Sequence, residues 1–161
     1  MVDTAGPVVP EAESSSHEPE VDGTAAWRQL SQGLVGDWEG RLGEHVVTVS
    51  YRMTARDSVL LETWMPGTSA ETVTAYHLDH GSLMLTHYCG QGNQPRLRLV
   101  GVEGTRSSFA RFDASDLDDD ESALMELVLE DNDGVLSRRE TYVRGDQRSV
   151  DTIEFVRVAP R

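Results

Sequence analysis

From Gly36 onward the chain repeats one pattern: a short run of β-branched and apolar residues followed by a turn signal, at intervals of about 8 to 14 residues. The pattern predicts strands over 38–42, 45–54, 58–65, 71–79, 82–89, 96–102, 106–113, 123–130, 135–144 and 152–158. Their connections are hairpin-sized: Ala55-Arg56-Asp57, Pro66-Gly67, His80-Gly81, Glu103-Gly104, Asn132-Asp133-Gly134 and Gly145-Asp146. No connection is long enough for the crossover helix that parallel strands require. An all-β, roughly ten-stranded antiparallel up-and-down barrel is the economical solution, because closure removes both exposed sheet edges.

Ahead of the strands, Trp27, Leu30 and Leu34 stand at helical spacing, which predicts a short N-terminal helix over 24–32 with Thr24 as its cap. Residues 1–23 are different in kind. Asp3, Glu11, Glu13, Glu18, Glu20 and Asp22 have no basic partner among them, and Pro7, Pro10, Pro19 and Ser14-Ser15-Ser16 complete a composition typical of disorder. The expected division is therefore an acidic tail over 1–23, dispensable for folding, and a barrel domain over 24–161.

The net charge is −14, from 28 acidic and 14 basic residues, and every basic residue is arginine. With Ile153 the only isoleucine, this usage resembles that of GC-rich bacterial genomes. An acidic surface repels phosphate backbones, so no nucleic-acid partner is expected. The densest basic group, Arg138, Arg139, Arg144 and Arg148, is interrupted by Glu140 and Asp146 and reads as a solvated strand face. The first ten residues lack a basic start and long apolar run, and nothing approaches the ~18 apolar residues of a membrane span. Cys89, the single cysteine, cannot form an internal disulfide. The expected location is cytoplasmic.

The segment Leu34-Val35-Gly36-Asp37-Trp38-Glu39-Gly40 resembles the opening strand of lipocalin-like (calycin) barrels, in Gly36 and Trp38. That resemblance implies an indole plugging one end, with an arginine of the last strand, here Arg157, packed over it. The runs 76–79, 83–89 and 92–96 are similar to uncharacterised bacterial lipocalin-like proteins, over roughly Leu34 to Arg98. Gly36, Trp38 and Gly40 also resemble the Gly-x-Trp-x-Gly strand of nitrobindin-like haem barrels, whose haem is held by a histidine near the C-terminus. This chain has no histidine after His87, so the resemblance does not reach the haem ligand and no cofactor is expected.

His77, His80, His87 and Cys89 are tempting zinc ligands. If His80-Gly81 is a two-residue turn, His77 faces Met84, His87 faces Thr74 and Cys89 faces Thr72, which puts His77 and His87 on opposite faces. One face then carries Tyr76, Leu83, Leu85, His87 and Cys89 and is expected inward; a three-residue turn would exchange the faces. Tyr76, His87 and Cys89 form a polar group among leucines suited to anchoring a small apolar or amphipathic ligand, with a satisfied core histidine the alternative for His87. Asn93 and Gln94, after Gly90 and Gly92, are expected at a barrel mouth where they can gate or anchor it, with ordinary turn chemistry the alternative for the glycines and Asn93. The acidic run from Asp113 to Glu121 reads as solvated carboxylates, and Asp131-Asn132-Asp133-Gly134 as a hairpin turn, since the first ligand position of a calcium loop would be Leu129. Cys89 and His87, two apart on a strand, lie about 6–7 Å from each other, beyond direct proton transfer. Glu62 with His77 can serve proton transfer if the strand order unites them. Ligand binding inside the barrel is the expected function, with an enzyme using the same cavity or a filled structural barrel as alternatives.

Overall fold

A computed structural model describes residues 21–159; residues 1–20 of the expected acidic tail lie outside the described residues. Helix α1 (Gly23–Gly33) is followed by ten strands. These are β1 (Gly36–Leu42), β2 (His45–Thr54), β3 (Val59–Trp64), β4 (Thr72–Asp79), β5 (Ser82–Tyr88), β6 (Gln94–Glu103), β7 (Arg106–Ser115), β8 (Ala123–Asn132), β9 (Val135–Arg144) and β10 (Gln147–Arg157). Each strand pairs antiparallel with its sequence neighbours, and β1 pairs with β10, so the sheet is a closed up-and-down barrel. The closing seam is short: only Trp38, Glu39 and Gly40 face Arg157, Val156 and Phe155.

Turn chemistry sets the registers. His80 and Gly81 both take positive φ, 49° and 94°, as a two-residue hairpin loop requires, and this pairs Thr74 with His87 and His77 with Met84. The calcium-like Asp131-Asn132-Asp133-Gly134 closes the β8–β9 hairpin in the same way, the Asp131 carboxylate accepting from the Gly134 N–H at 3.1 Å. Many strand ends differ from expectation by one or two residues, and two differences bear on how the elements form. The helix is capped by Asp22, whose carboxylate accepts from the Thr24 N–H at 2.9 Å, so Asp22 and Gly23 belong to the folded unit and Thr24 is inside the helix. The last strand begins five residues earlier than its apolar pattern, because 147–152 ladder onto β9 while staying exposed on both faces.

The connections alternate between two ends, and α1 covers one of them. The Gly23 N–H donates to the Gly81 carbonyl at 2.8 Å, and the Gln29 side chain donates to the Thr105 carbonyl at 3.0 Å. Trp38 lies beneath the helix, fully buried, its indole N–H donating to the Leu34 carbonyl at 2.8 Å. Arg157 reaches over the ring, guanidinium carbon 4.3 Å from the centroid, and donates to the carbonyls of Val35 (2.8 Å) and Gly33. The Gly-x-Trp-x-Gly pattern now has a physical reason. A side chain at Gly36 would meet the Arg157 guanidinium, and one at Gly40 would meet the Glu154 carbonyl at 2.6 Å and the Phe155 ring at 2.9 Å. Both glycines leave room for what β10 places against the tryptophan strand.

Above Trp38 the interior is filled by Leu60, Leu83, Leu85, Leu97, Leu99, Phe109, Leu127, Leu129, Leu136, Ile153 and Phe155, all buried. Each such side chain contributes about 1.5–3 kcal/mol relative to exposure. Among the described residues, no helix covers the opposite end. It is rimmed by the connections 43–44, 65–71, 89–93, 116–122 and 145–146.

Candidate functional site

Between the leucine layer and the open end, the barrel interior becomes polar. Strand alternation that puts Leu60 inward also puts Glu62 and Trp64 inward, and on β9 the parity of Leu136 brings in Arg138, Glu140 and Tyr142. Glu62 and Arg138 are almost fully buried, at 1% and 2% exposure. They meet across the barrel, Arg138 Nη1 donating to Glu62 Oε2 at 2.6 Å. The same carboxylate oxygen accepts from the Tyr76 hydroxyl at 2.6 Å. Arg138 also donates from Nε to Glu140 Oε1 at 2.7 Å and from Nη1 to the Tyr51 hydroxyl at 3.3 Å. Its guanidinium carbon lies 5.4 Å from the Trp64 ring centroid.

Burial alone would push the Glu62 carboxyl up; the Arg138 charge, reinforced by hydrogen bonds from Arg138 and Tyr76, outweighs burial and holds it below the usual range. Burial opposes the Arg138 charge too, but Glu62 and Glu140 keep the guanidinium firmly protonated. The Tyr51 and Tyr76 hydroxyls are pushed well up by burial and by Glu62, so they stay protonated.

His87 adjoins this cluster. Its Nδ1 lies 2.9 Å from Thr74 Oγ1, which in turn lies 3.3 Å from Glu62 Oε1. Thr74 has one proton and its best acceptor is the carboxylate, so Thr74 accepts from His87 Nδ1–H, and the Nε2 lone pair is left bare. Nε2 makes no hydrogen bond among the described residues. Burial lowers the His87 pKa, with Glu62 pulling the other way, so the imidazole is neutral near pH 7.

The sign of the resulting pH dependence follows. An unfolded histidine takes its proton at about 6.5 and folded His87 only below that, so stability falls as pH drops through this window. For one group the loss is at most about 1.4 kcal/mol per pH unit. Urea unfolding at pH 7.5 and 5.5 should show a smaller difference in His87→Gln than in the unaltered protein. An unchanged difference would assign the effect elsewhere.

A pocket of about 180 Å³ opens above the Glu62–Arg138 pair, lined by Trp64, Thr72, His87, Cys89, Glu140 and Tyr142 among others. Of the residues singled out from sequence, Glu62, His87 and Cys89 line this pocket. Tyr76 lies deeper, bonded to Glu62. Asn93 is fully buried in the 89–93 connection, its amide donating to Glu121 Oε2 (3.1 Å) and the Ser122 carbonyl (3.2 Å), and Gln94 is held by the Gly92 carbonyl and Ser115 Oγ. Neither lines the pocket.

Two expectations are overturned. Arg138 does not belong to a solvated strand face; it is the buried centre of the site, while its neighbour Arg139 points out. Glu62 does not meet His77, which faces Val59 and Met84 on the outer surface; the histidine near Glu62 is His87. The sequence reading missed Arg138, Glu140, Trp64 and Tyr142 as site residues. The signal available was the inward parity of Leu136, masked by the adjacent apolar Val135.

No protein-family model matches the chain, and no curated protein is similar to it at a significant level.

Proposed function

We propose that the chain is a binding barrel of the lipocalin-like (calycin) type that takes a small molecule into the pocket at its open end. One observation carries this reading. His87 is 95% buried, yet it turns a nitrogen lone pair without a protein partner toward a pocket rather than into packed core (5% exposed). Nε2 is not among the fully buried unpaired atoms, so it opens to the pocket, where a ligand N–H or O–H can take the place of water. The tryptophan–arginine stack at the closed end supports the calycin affiliation.

The pocket sets the ligand's size. Drug-sized sites enclose roughly 300–1,000 Å³, against about 180 Å³ here. The leucines expected to cover an apolar body lie beneath the ion pair and are packed against one another. A small ligand, polar where it meets His87, suits the space better than a long amphipathic one.

A second reading, chemistry in the same pocket, is favoured by the Glu62–Thr74–His87 chain. A proton taken up by Nε2 would be balanced by the Glu62 charge through the threonine hydroxyl.

NMR titration of a fragment library, following the His87 imidazole and Trp64 indole resonances, tests the binding reading. Compounds that shift both should bind His87→Ala more than tenfold less tightly, a loss above about 1.4 kcal/mol, with the fold of the variant checked by its melting curve. Equal affinity in the variant, or no compound that moves either resonance, would overturn it.

A further inference from the structure

We infer that the pocket selects a small monocation bearing several N–H donors, a protonated amine or an amidinium, an assignment that rests on the binding reading above. Beside the hydroxyls of Thr72 and Tyr142, which can donate or accept, it offers two acceptors that make no hydrogen bond among the described residues. His87 Nε2 presents a lone pair, and Glu140 uses only Oε1 toward Arg138, so its Oε2 makes no hydrogen bond among the described residues. The Glu140 side chain is 15% exposed, enough to reach a ligand and little enough to interact through a medium less polar than water.

The charge count agrees. Glu62 and Glu140 supply two negative charges and Arg138 one positive charge, which is already engaged by both carboxylates and by Tyr51. The lining is therefore one negative charge in excess, and a bound monocation neutralises it. An anion would face two carboxylates and a guanidinium whose donors are largely committed. The rim adds a longer-range bias. The 116–122 connection at the same end carries Asp116, Asp118, Asp119, Asp120 and Glu121, and a field of that sign raises the local concentration of cations.

The test compares four probes of similar size on the full chain at constant ionic strength and pH 7.5: acetamidinium, propylammonium, propionate and propanol. The His87 and Trp64 resonances report binding. Acetamidinium and propylammonium should bind at least tenfold more tightly than propionate or propanol, and Glu140→Gln should weaken the two cations at least fivefold while leaving propanol unchanged. Propionate or propanol binding as well as the cations would overturn the selection for a cation and leave the binding reading standing. Silence from all four probes would overturn the cation assignment, and the fragment library alone then decides the binding reading. The probe comparison uses the unaltered protein, so it decides the matter even if Glu140→Gln folds poorly.

Discussion

Replacing Arg138 with methionine is expected to cost about 3–5 kcal/mol of unfolding free energy, the usual penalty for stranding one member of a buried ion pair. The cost arises at Glu62, which keeps the Tyr76 and Thr74 hydrogen bonds but loses its counter-charge inside a closed barrel. Its carboxyl should then move well above the usual range, since burial is no longer outweighed. The double replacement Glu62→Gln with Arg138→Met leaves only the partly exposed Glu140 charged and should recover much of the loss, because uncharged residues of similar volume are often no less stable than a buried ion pair. Urea unfolding of both single variants and the double variant completes the cycle. A double variant no more stable than Arg138→Met would mean that the guanidinium acts by filling space, and that the charge pairing contributes little.

The second large effect belongs to the closed end. Trp38→Ala should destabilise by about 3–5 kcal/mol, as buried aromatic deletions do. The indole is 0% exposed, and its removal strips Arg157 of the ring beneath it and leaves the Leu34 carbonyl without its donor. Trp38→Phe keeps a ring for Arg157 and should lose only the hydrogen bond and some packing, about 1–2 kcal/mol. Chemical denaturation of the two variants distinguishes plug from filler. A loss below about 1 kcal/mol for the alanine variant would show that α1 and the strands hold that end together without the indole.

What could be read from the residues was what short-range chemistry specifies. His80-Gly81 suited a two-residue turn, and given that turn, rather than a three-residue one that would exchange the faces, the facing of Tyr76, Leu85 and His87 followed without knowledge of the rest of the barrel. The ten-strand order was legible because no connection is long enough for a crossover helix, which leaves an antiparallel meander as the economical order. The heart of the site was not legible, for two physical reasons. Val59-Leu60-Leu61 and Val135-Leu136 place apolar residues side by side, so period-two alternation cannot decide whether Glu62 and Arg138 point in or out. And a buried charge makes sense only beside its partner, which here stands 76 residues away on a strand that is not a neighbour in the sheet. Composition argued for exposing Arg138; the closed barrel reverses that by supplying Glu62, Glu140 and Tyr51 at once. The extension of β10 was hidden differently: 147–152 lack a buried face, and only the ladder to β9 makes them a strand.

The distance between Glu62 and Arg138 along the chain has a consequence for synthesis. A nascent chain that has emerged only as far as β8 already contains β3, with Glu62 on its inward face and no cation to meet it. Water is then the best company for that carboxylate, and a premature collapse of β2 to β8 into a smaller cylinder would have to dehydrate it alone. The penalty disappears when β9 delivers Arg138, and one strand later Phe155 and Arg157 reach Gly40 and Trp38. Closure that pairs this carboxylate therefore needs both of the last two strands, β9 for the cation and β10 for the seam.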